Sequence, residues 1–309
     1  MKMIRIYRWF VLLLVTAMVS CEKNFDIVVK PNTPLLVVEG YINNIMPSYN
    51  YVLLTTSQDY YSPDITGAPV TGAVVSVTEG SMLPDHSFSW DATTKTILKE
   101  STAADAGFAN LPGAYFDERL RTDSAHALIG NPGKFYLLEI DSKGKHYSSI
   151  SFMPPTIMID SLTSGYHYID ENDEDSDSAL TKARVTIHYQ DPDTIGNTLL
   201  FYSRSNDNRN NVGWGGLRNN RFITGTDDLT NGEYMHLTIS SGFVIGEEVD
   251  YYMVSVERKI YNFWDSYRKA RNNGGPFSTP VTLLTTMEGE NVTGCFSAFS
   301  ISTKSITMQ

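Results

Sequence analysis

The segment that decides the fold is FYLLEIDSKGKHYSSISF, residues 135–152. Two runs rich in β-branched and aromatic residues, 135–140 and 145–152, flank Asp141-Ser142-Lys143-Gly144. Glycine can take the positive φ that a tight hairpin turn needs, so the segment predicts two antiparallel strands joined by a short turn. A hairpin in the middle of the chain sets the expectation that the rest is also built from strands.

The chain on both sides continues this pattern of short apolar runs separated by Pro, Gly, Asn and Ser. Between 183 and 190, Val185, Ile187 and Tyr189 alternate with polar residues, as in a strand with one buried face. No helical period of useful length interrupts the runs before residue 153. The pattern therefore predicts an all-β sandwich or barrel architecture. The further predicted strands are residues 35–42, 51–56, 73–78, 183–190, 198–203, 234–239, 249–256, 281–285 and 295–302.

One short helix is predicted near the C-terminus. Asn262 can cap its first turn, Asp265 can return the hydrogen bond, and Gly274 can end it. Phe263 and Tyr267 then share one face at a spacing of four residues. We expect this helix to cover the open end of a β-sandwich.

The best candidate domain boundary is Pro154-Pro155. Neither proline offers an N–H group to a strand ladder, and the second keeps the first out of helical conformation. Residues 34–153 and 156–309 each contain a separate series of strand-like runs. The sequence therefore predicts two β-sandwich-like domains, one on each side of the two prolines.

The N-terminus has the pattern of an export signal. Residues 1–8 carry three basic residues and no acid, and residues 9–20 form an apolar or small run. This core of twelve residues is shorter than the roughly 20 that span a bilayer as a helix. Met18-Val19-Ser20-Cys21 is similar to a bacterial lipobox, which predicts a signal peptide at 1–20, a lipidated Cys21 and a tether at 21–33. The alternatives are an ordinary cleaved signal and an uncleaved anchor.

Charge limits the partners of the mature chain. Cleavage before Cys21 lowers the formal net charge from −11 to −14, because three basic residues leave with the signal. An acidic chain without a basic tract argues against binding of nucleic acid. Attachment to the membrane would then depend on the two or three acyl chains on Cys21.

The chain has only two cysteines, Cys21 and Cys295. Acylation of Cys21 would leave Cys295 without a partner in the chain, which excludes an internal disulfide. Cys295 lies in an apolar run, so we expect a buried, unreactive thiol.

Motifs for catalysis, cofactors or metals are absent from the sequence. The six histidines show neither HExxH nor another metal-ligand spacing, and GxSxG, GxGxxG and GxxxxGK[ST] are missing. The acidic run at 170–177 does not fit an EF-hand loop, because Ser178 and Arg184 stand where Gly and Glu are required. It is interpreted as a solvated loop, with an irregular calcium site as the alternative. We expect no enzyme activity, no cofactor and no metal.

Residues 205–221, SNDNRNNVGWGGLRNNR, form the strongest candidate for a binding site. Seventeen residues without an apolar period predict a long loop between strands, and such loops are often functional. Trp214 among glycines would present an indole face, and Arg209, Arg218 and Arg221 could bond sugar hydroxyls, a peptide carboxylate or a neighbouring protein. The alternative is a hairpin tip whose tryptophan folds back onto the sheet.

An ordered set of motifs resembles the domain-of-unknown-function 4249 family of bacterial outer-membrane lipoproteins. The resemblance spans the mature chain and implies an envelope lipoprotein, often encoded beside a TonB-dependent transporter. It carries over no catalytic residue. The motifs are PLLVVEGYI at 34–42, PVTGAVV at 69–75, PGKFYLL at 132–138, GPFS at 275–278, MEG at 287–289 and GCFSA at 294–298.

Residues and resemblance together predict an all-β lipoprotein of the outer membrane. Its two sandwich-like domains would be Ig/carboxypeptidase-regulatory-like and then fibronectin-III-like, with one short helix near the C-terminus. The expected function is that of a non-enzymatic accessory or ligand-binding partner of a TonB-dependent β-barrel transporter in nutrient uptake. The alternatives are a stand-alone structural or adhesive surface lipoprotein and, third, a glycan hydrolase with convergent carboxylates.

Overall fold

A computed structural model of the chain describes residues 33–58, 68–101, 111–169, 181–206, 218–226, 230–272 and 282–309. This part is mostly β, as the sequence predicts, with a helix near the C-terminus. The strands are β1 Leu36–Asn43, β2 Tyr51–Thr56, β3 Val74–Met82, β4 Phe88–Trp90, β5 Thr96–Glu100, β6 Ala114–Phe116, β7 Phe135–Ser142, β8 Lys145–Phe152, β9 Ile159–Ile169, β10 Thr181–Gln190, β11 Thr198–Ser205, β12 Arg218–Thr226, β13 Tyr234–Val244, β14 Glu248–Val256 and β15 Val292–Thr307. The helices are α1 Arg119–Thr122 and α2 Arg258–Asn272, and short 3₁₀ turns occupy Pro47–Tyr49, Ala92–Thr94 and Ser124–His126.

The hairpin predicted at 135–152 is present as β7 and β8. The strands pair antiparallel from Phe135 opposite Phe152 to Ser142 opposite Lys145. Lys143 and Gly144 form the two-residue turn with φ of 51° and 74°. Positive φ at both central positions is the backbone of a type I′ turn, whose twist matches that of the strands.

Twelve of the described strands form one large sheet. Its order is β12-β11-β14-β15-β1-β2-β6-β5-β3-β7-β8, with β4 paired to β3. The first strand, β1, pairs along its length with the last, β15, in parallel orientation. Gly294 on β15 permits this approach, because a Cβ atom there would collide with the backbone of Val38.

The three remaining strands form a second sheet of order β13-β10-β9. Its inner face shares a hydrophobic cluster with β11, β14 and β15, which makes this part of the protein a β-sandwich. Val185, Ile187 and Tyr189 are buried in the cluster, and this confirms the alternation seen in the sequence.

The other end of the large sheet curls back on itself. Strands β8 and β15 are far apart in the strand order, yet the Ala298 amide donates to Ser151 Oγ at 2.9 Å. Phe296 of β15 is buried in the same cluster as Tyr136 and Leu138 of β7. Full burial of side chains of this size stabilises the fold by about 1.5–3 kcal/mol each.

Helix α2 packs on the outer face of the large sheet, where Ile260 and Phe263 are buried in a third cluster. The predicted cap at Asn262 is wrong. The helix begins at Arg258, because the amides of Ile260 and Tyr261 bond the carbonyl oxygen of Glu257 at 2.9 and 3.2 Å. The sequence placed the start at a good capping residue, whereas packing of Ile260 into the core extends the helix by five residues. Gly274, the predicted end, lies outside the described residues.

Three further details differ from the prediction. Residues 282–285 lack strand pairing, and the Leu284 amide instead donates to Ser266 Oγ of α2 at 3.2 Å. Tyr267 is 43% exposed, so it lies at the margin of the helix's packed face. Five strands were not predicted, because they are very short or follow no clear apolar alternation: β4, β5, β6, β9 and β12.

The proposed boundary at Pro154-Pro155 lies between β8 of the large sheet and β9 of the smaller one. Residues 34–309 form one compact unit, and the pairing of β1 with β15 joins the two halves of the chain. Continuity of a sheet does not decide whether two halves unfold separately. The division into domains 34–153 and 156–309 therefore stays a prediction.

Candidate functional site

The candidate segment 205–221 lies only partly within the described residues. Arg209 and Trp214 fall outside them, as do Cys21 and the acidic run 170–177. Arg218 and Arg221 lie on β12, and Arg218 is the register partner of Ser203 on β11. Residues 218–221 thus belong to a strand and not to the long loop that the sequence predicted.

A row of polar side chains crosses the large sheet beside the point where the chain leaves β11. Arg204, Asp250 and Ser305 are register partners on β11, β14 and β15, and we call them the Arg204 row. Arg204 Nη2 donates to Asp250 Oδ2 at 3.1 Å, and Ser305 Oγ donates to Asp250 Oδ1 at 2.6 Å. Both oxygens of this carboxylate are therefore engaged by neighbouring strands.

The Arg204 guanidinium also lies over an aromatic ring. Its Cζ is 5.8 Å from the ring centroid of Tyr252, a cation–π distance. Burial raises the pKa of the Tyr252 hydroxyl, and the nearby charge of Arg204 partly offsets this rise. The hydrogen bond to Asp250 raises the pKa of Arg204, so the guanidinium stays charged. Tyr252 is buried, whereas the side chains of Arg204 and Asp250 are 47% and 30% exposed.

On the same face of the large sheet, aromatic side chains pack between the strands and α2. Trp264 stacks on Tyr41 with a centroid distance of 6.4 Å and an interplanar angle of 10°. The Tyr41 hydroxyl donates to Glu39 Oε1 at 2.9 Å. Burial raises the pKa of Glu39, and the bond from Tyr41 opposes the shift. This face thus carries a partly exposed charge pair at Arg204 and a partly buried carboxyl beside aromatic rings at Glu39.

This arrangement suits recognition of a polar partner. The exposed guanidinium can form charge-assisted hydrogen bonds to carboxylates or bond hydroxyl groups. An exposed ion pair contributes only about 0–1 kcal/mol to stability. A ligand that bonds the Arg204 row can therefore be accommodated with little loss of fold stability.

Cys295 has the environment expected from the sequence. It is 3% exposed on β15, and burial raises its thiol pKa to about 12. The thiolate is the reactive form, so this thiol is unreactive while the protein is folded.

The described ranges contain neither a cluster of three or more metal-binding side chains nor a membrane-spanning helix. No three His, Cys, Asp or Glu side chains in those ranges are grouped so that they could hold a metal ion. In that same part of the chain, no helix has both the length and the apolar character needed to cross a bilayer.

The comparison with protein families identifies the class of protein. The model of the domain of unknown function DUF4249 matches residues 22–305, nearly the whole chain. The chain therefore belongs to this family, as its motifs indicated. Comparison with curated proteins finds no match.

The Arg204 row was missed by the sequence reasoning. Arg204 and Asp250 are 46 residues apart, and only the pairing of β11 with β14 brings them together. The available signal was weak: Arg204 directly follows the strand predicted at 198–203, and Asp250 lies inside the strand predicted at 249–256. A charge within a strand marks a solvated face, but it does not reveal its neighbour across the sheet.

Proposed function

We propose that this protein is a non-enzymatic outer-membrane lipoprotein that acts as an accessory or ligand-binding partner of a TonB-dependent transporter in nutrient uptake. It is anchored through acyl chains on Cys21, and residues 21–33 act as the tether. Its binding surface includes the Arg204 row and the candidate residues Arg209, Trp214, Arg218 and Arg221.

The observation that carries the proposal is the lipobox pattern Met18-Val19-Ser20-Cys21 behind a short apolar core. The family match begins at Glu22, directly after the cysteine. The compact β unit begins at Pro34, which leaves a short connecting segment between anchor and fold. These features support a folded domain held close to a membrane surface.

The binding role is supported by what lies near the candidate segment. Strand β11 ends at Ser205 and β12 begins at Arg218, the register partner of Ser203, so both strand residues that flank the candidate segment lie close to Arg204 in the sheet. Arg204 and Asp250 offer a partly exposed charge pair there. An indole and further arginines in the segment would add the residue types that dominate binding hot spots.

Anchoring also explains how a modest interface can act. Two proteins held in one membrane have a high effective concentration for each other, so even a weak interface between them is largely occupied. The sequence contains no basic tract, and the contact should therefore survive moderate salt.

The anchoring step is tested with Cys21→Ala. This variant should leave the membrane fraction, whereas Cys295→Ala, the matched control, should remain in it. Mass spectrometry of the wild-type N-terminal peptide should show an acylated Cys21. An unmodified cysteine there would rule out the lipoprotein.

The partner is tested by affinity capture of the lipidated protein from detergent-solubilised outer membrane, with cells grown on several nutrients. A β-barrel transporter should co-purify with wild type and be lost when Arg209, Trp214 and Arg218 are replaced together by alanine. The control replaces Lys145 and Glu290, an exposed pair 3.7 Å apart, with alanine. Equal recovery of the transporter with both variants would mean that the transporter is a partner but that residues 205–221 do not bind it. Recovery of no barrel under any condition would favour a stand-alone surface lipoprotein.

A further inference from the structure

The outer face of the three-stranded sheet carries a pair of histidines in direct contact. His188 of β10 and His236 of β13 are register partners, and their Nδ1 atoms are 2.7 Å apart. The rings meet edge to face, with centroids 4.9 Å apart and an interplanar angle of 75°. Both side chains are accessible to solvent, so a small ion can reach them.

Neighbouring side chains hold the two rings in position. The remaining nitrogen of His188, Nε2, is 2.9 Å from Thr163 Oγ1 of β9. The ring of Tyr234 packs edge to face on His236 at 5.0 Å. A hydrogen-bonded second nitrogen fixes the orientation of a histidine in the way that outer-shell partners fix metal ligands.

A short contact between two Nδ1 atoms requires one proton between them. One ring carries a proton on Nδ1 and donates, and the other has an unprotonated Nδ1 that accepts. When the donating ring instead carries its proton on Nε2, both neutral rings offer an Nδ1 lone pair to the same small volume. Imidazole nitrogen is a ligand that copper, nickel and zinc ions bind readily.

We propose that His188 and His236 form a two-imidazole site for a divalent transition-metal ion, with Cu²⁺ preferred. The ion takes the place of the shared proton, which moves to Nε2 of the ring that carried it, and water fills the other coordination positions. Metal–nitrogen bonds of about 2.0 Å at a right angle place two nitrogens about 2.8 Å apart, whereas a tetrahedral angle needs about 3.3 Å. The observed 2.7 Å is close to the first value, so rotation of the rings suffices for the tetragonal geometry of Cu²⁺.

Charges of both signs lie near this position, because Lys304 Nζ donates to the carbonyl oxygen of Asp160 at 2.5 Å. The Tyr234 hydroxyl bonds the carboxylate of Asp160, which brings a negative charge to the same part of the sheet. The proposal is independent of the transporter role, since these strands belong to a different sheet from the Arg204 row. The sequence did not reveal the site, because the two histidines are 48 residues apart and only strand pairing joins them.

The test uses the detergent-solubilised full chain without a polyhistidine tag, because the imidazoles of a tag would themselves bind Cu²⁺. Calorimetric titration with Cu²⁺ should show a site whose affinity falls at least about tenfold in His188→Ala and in His236→Ala. Thr163→Val, which removes only the partner of Nε2, should cause a smaller loss. The matched controls are His126→Ala and His146→Ala, because each of these imidazoles is paired with a single carboxylate, at 2.7 and 2.8 Å. They should retain wild-type affinity.

Two further readouts keep the test decisive. Electron paramagnetic resonance of the 1:1 complex should show two nitrogen ligands in wild type and one in either single variant. The melting temperatures of all variants in EDTA should match wild type, because the substituted side chains lie on an exposed face. Cu²⁺ affinity that is unchanged in His188→Ala or His236→Ala would overturn the proposal. Equal losses in the control variants would show adventitious binding and would overturn it as well.

Discussion

The side chains of Asn43 and Asn50 bond each other where no solvent reaches either residue. Asn50 Oδ1 accepts from Asn43 N at 2.7 Å and from Asn43 Nδ2 at 2.5 Å. Asn50 Nδ2 donates to the carbonyl oxygens of Leu128 and Asn43 at 2.8 and 3.2 Å. Both residues are fully buried, and Asn43 Oδ1 accepts from the amide of Met46 at 2.6 Å. This pair closes the connection between β1 and β2 and ties it to the loop before β7.

Replacing Asn50 with alanine should destabilise the fold by about 2–4 kcal/mol. The change removes four hydrogen bonds and leaves buried donors and acceptors unpaired, which costs roughly 1–3 kcal/mol for each group not rescued by water. Urea unfolding measures the loss. Ser48→Ala, an exposed change in the same turn, is the control and should stay within about 0.5 kcal/mol of wild type. A loss below 1 kcal/mol for Asn50→Ala would mean that water replaces the amide.

Glu39 should make stability depend on pH. Burial raises the pKa of this carboxyl above its usual value of 4.5, so the folded state retains a proton that the unfolded state has released. The unfolded state binds fewer protons in this window, and the stability contributed by Glu39 therefore falls as pH rises through the folded pKa. Glu39→Gln keeps an acceptor for Tyr41 and removes the titration. The difference between its free energy of unfolding and that of wild type should grow as pH rises above 4.5 and become constant above the folded pKa.

The control for Glu39 is Glu290→Gln, at a side chain that is 80% exposed. Its free energy of unfolding should follow wild type across the same pH range. A difference between Glu39→Gln and wild type that stays constant with pH would contradict the assignment to ionisation of Glu39.

Cys295 should react with a thiol reagent only after unfolding. Its pKa of about 12 and its burial leave almost no accessible thiolate at pH 8. With Ellman's reagent we expect no reaction of the native lipidated protein and one thiol per chain in guanidinium chloride. Two thiols in the denatured wild type would show a free Cys21, and rapid reaction of the native protein would show that Cys295 is accessible.

A structural feature of this protein was predictable from the sequence where residues close together in the chain determine it. The hairpin at 135–152 was predictable, because turn chemistry and two apolar runs lie within eighteen residues. Burial of Val185, Ile187 and Tyr189 was predictable for the same reason: alternation along one strand shows which face is apolar. The start of α2 was not, because Ile260 and its contacts in the core outweigh the capping preference of Asn262.

Long-range pairings could not be predicted from one sequence. The parallel alignment of β1 with β15 joins residues about 256 positions apart, such as Leu36 and Val292, and no turn sets its register. The Arg204 row and the pair His188 and His236 arise from the same kind of pairing. The features that suggest function are therefore the ones that periodicity and spacing do not show.

Limited proteolysis should test the predicted division at Pro154-Pro155. We expect cleavage between 154 and 178 to give two fragments on a denaturing gel. They should co-elute from a sizing column, because β1 of the first fragment pairs with β15 of the second. Two separate transitions on heating would establish 34–153 and 156–309 as domains. One cooperative transition would contradict that division.

The last prediction concerns the partner-binding surface, and it compares Trp214→Ala with Arg204→Ala. If Trp214 is an aromatic anchor, its removal should weaken binding to the captured barrel by about 1–3 kcal/mol. Arg204→Ala removes the exposed half of the pair with Asp250, so it should also weaken binding while changing the free energy of unfolding by less than about 1 kcal/mol. Binding is measured by titration in detergent and stability by thermal unfolding.

Arg204→Lys distinguishes the role of the planar guanidinium donors from the role of the positive charge. Lysine retains the positive charge and can still pair with Asp250, but it cannot present a planar pair of donors to a carboxylate. If the partner is bound through a bidentate contact, Arg204→Lys should lose nearly as much affinity as Arg204→Ala. Wild-type affinity of Arg204→Lys would show that only charge matters at this position. A large drop in melting temperature for Trp214→Ala would mean that the indole is part of the core, and Trp214 would then be removed from the proposed binding surface.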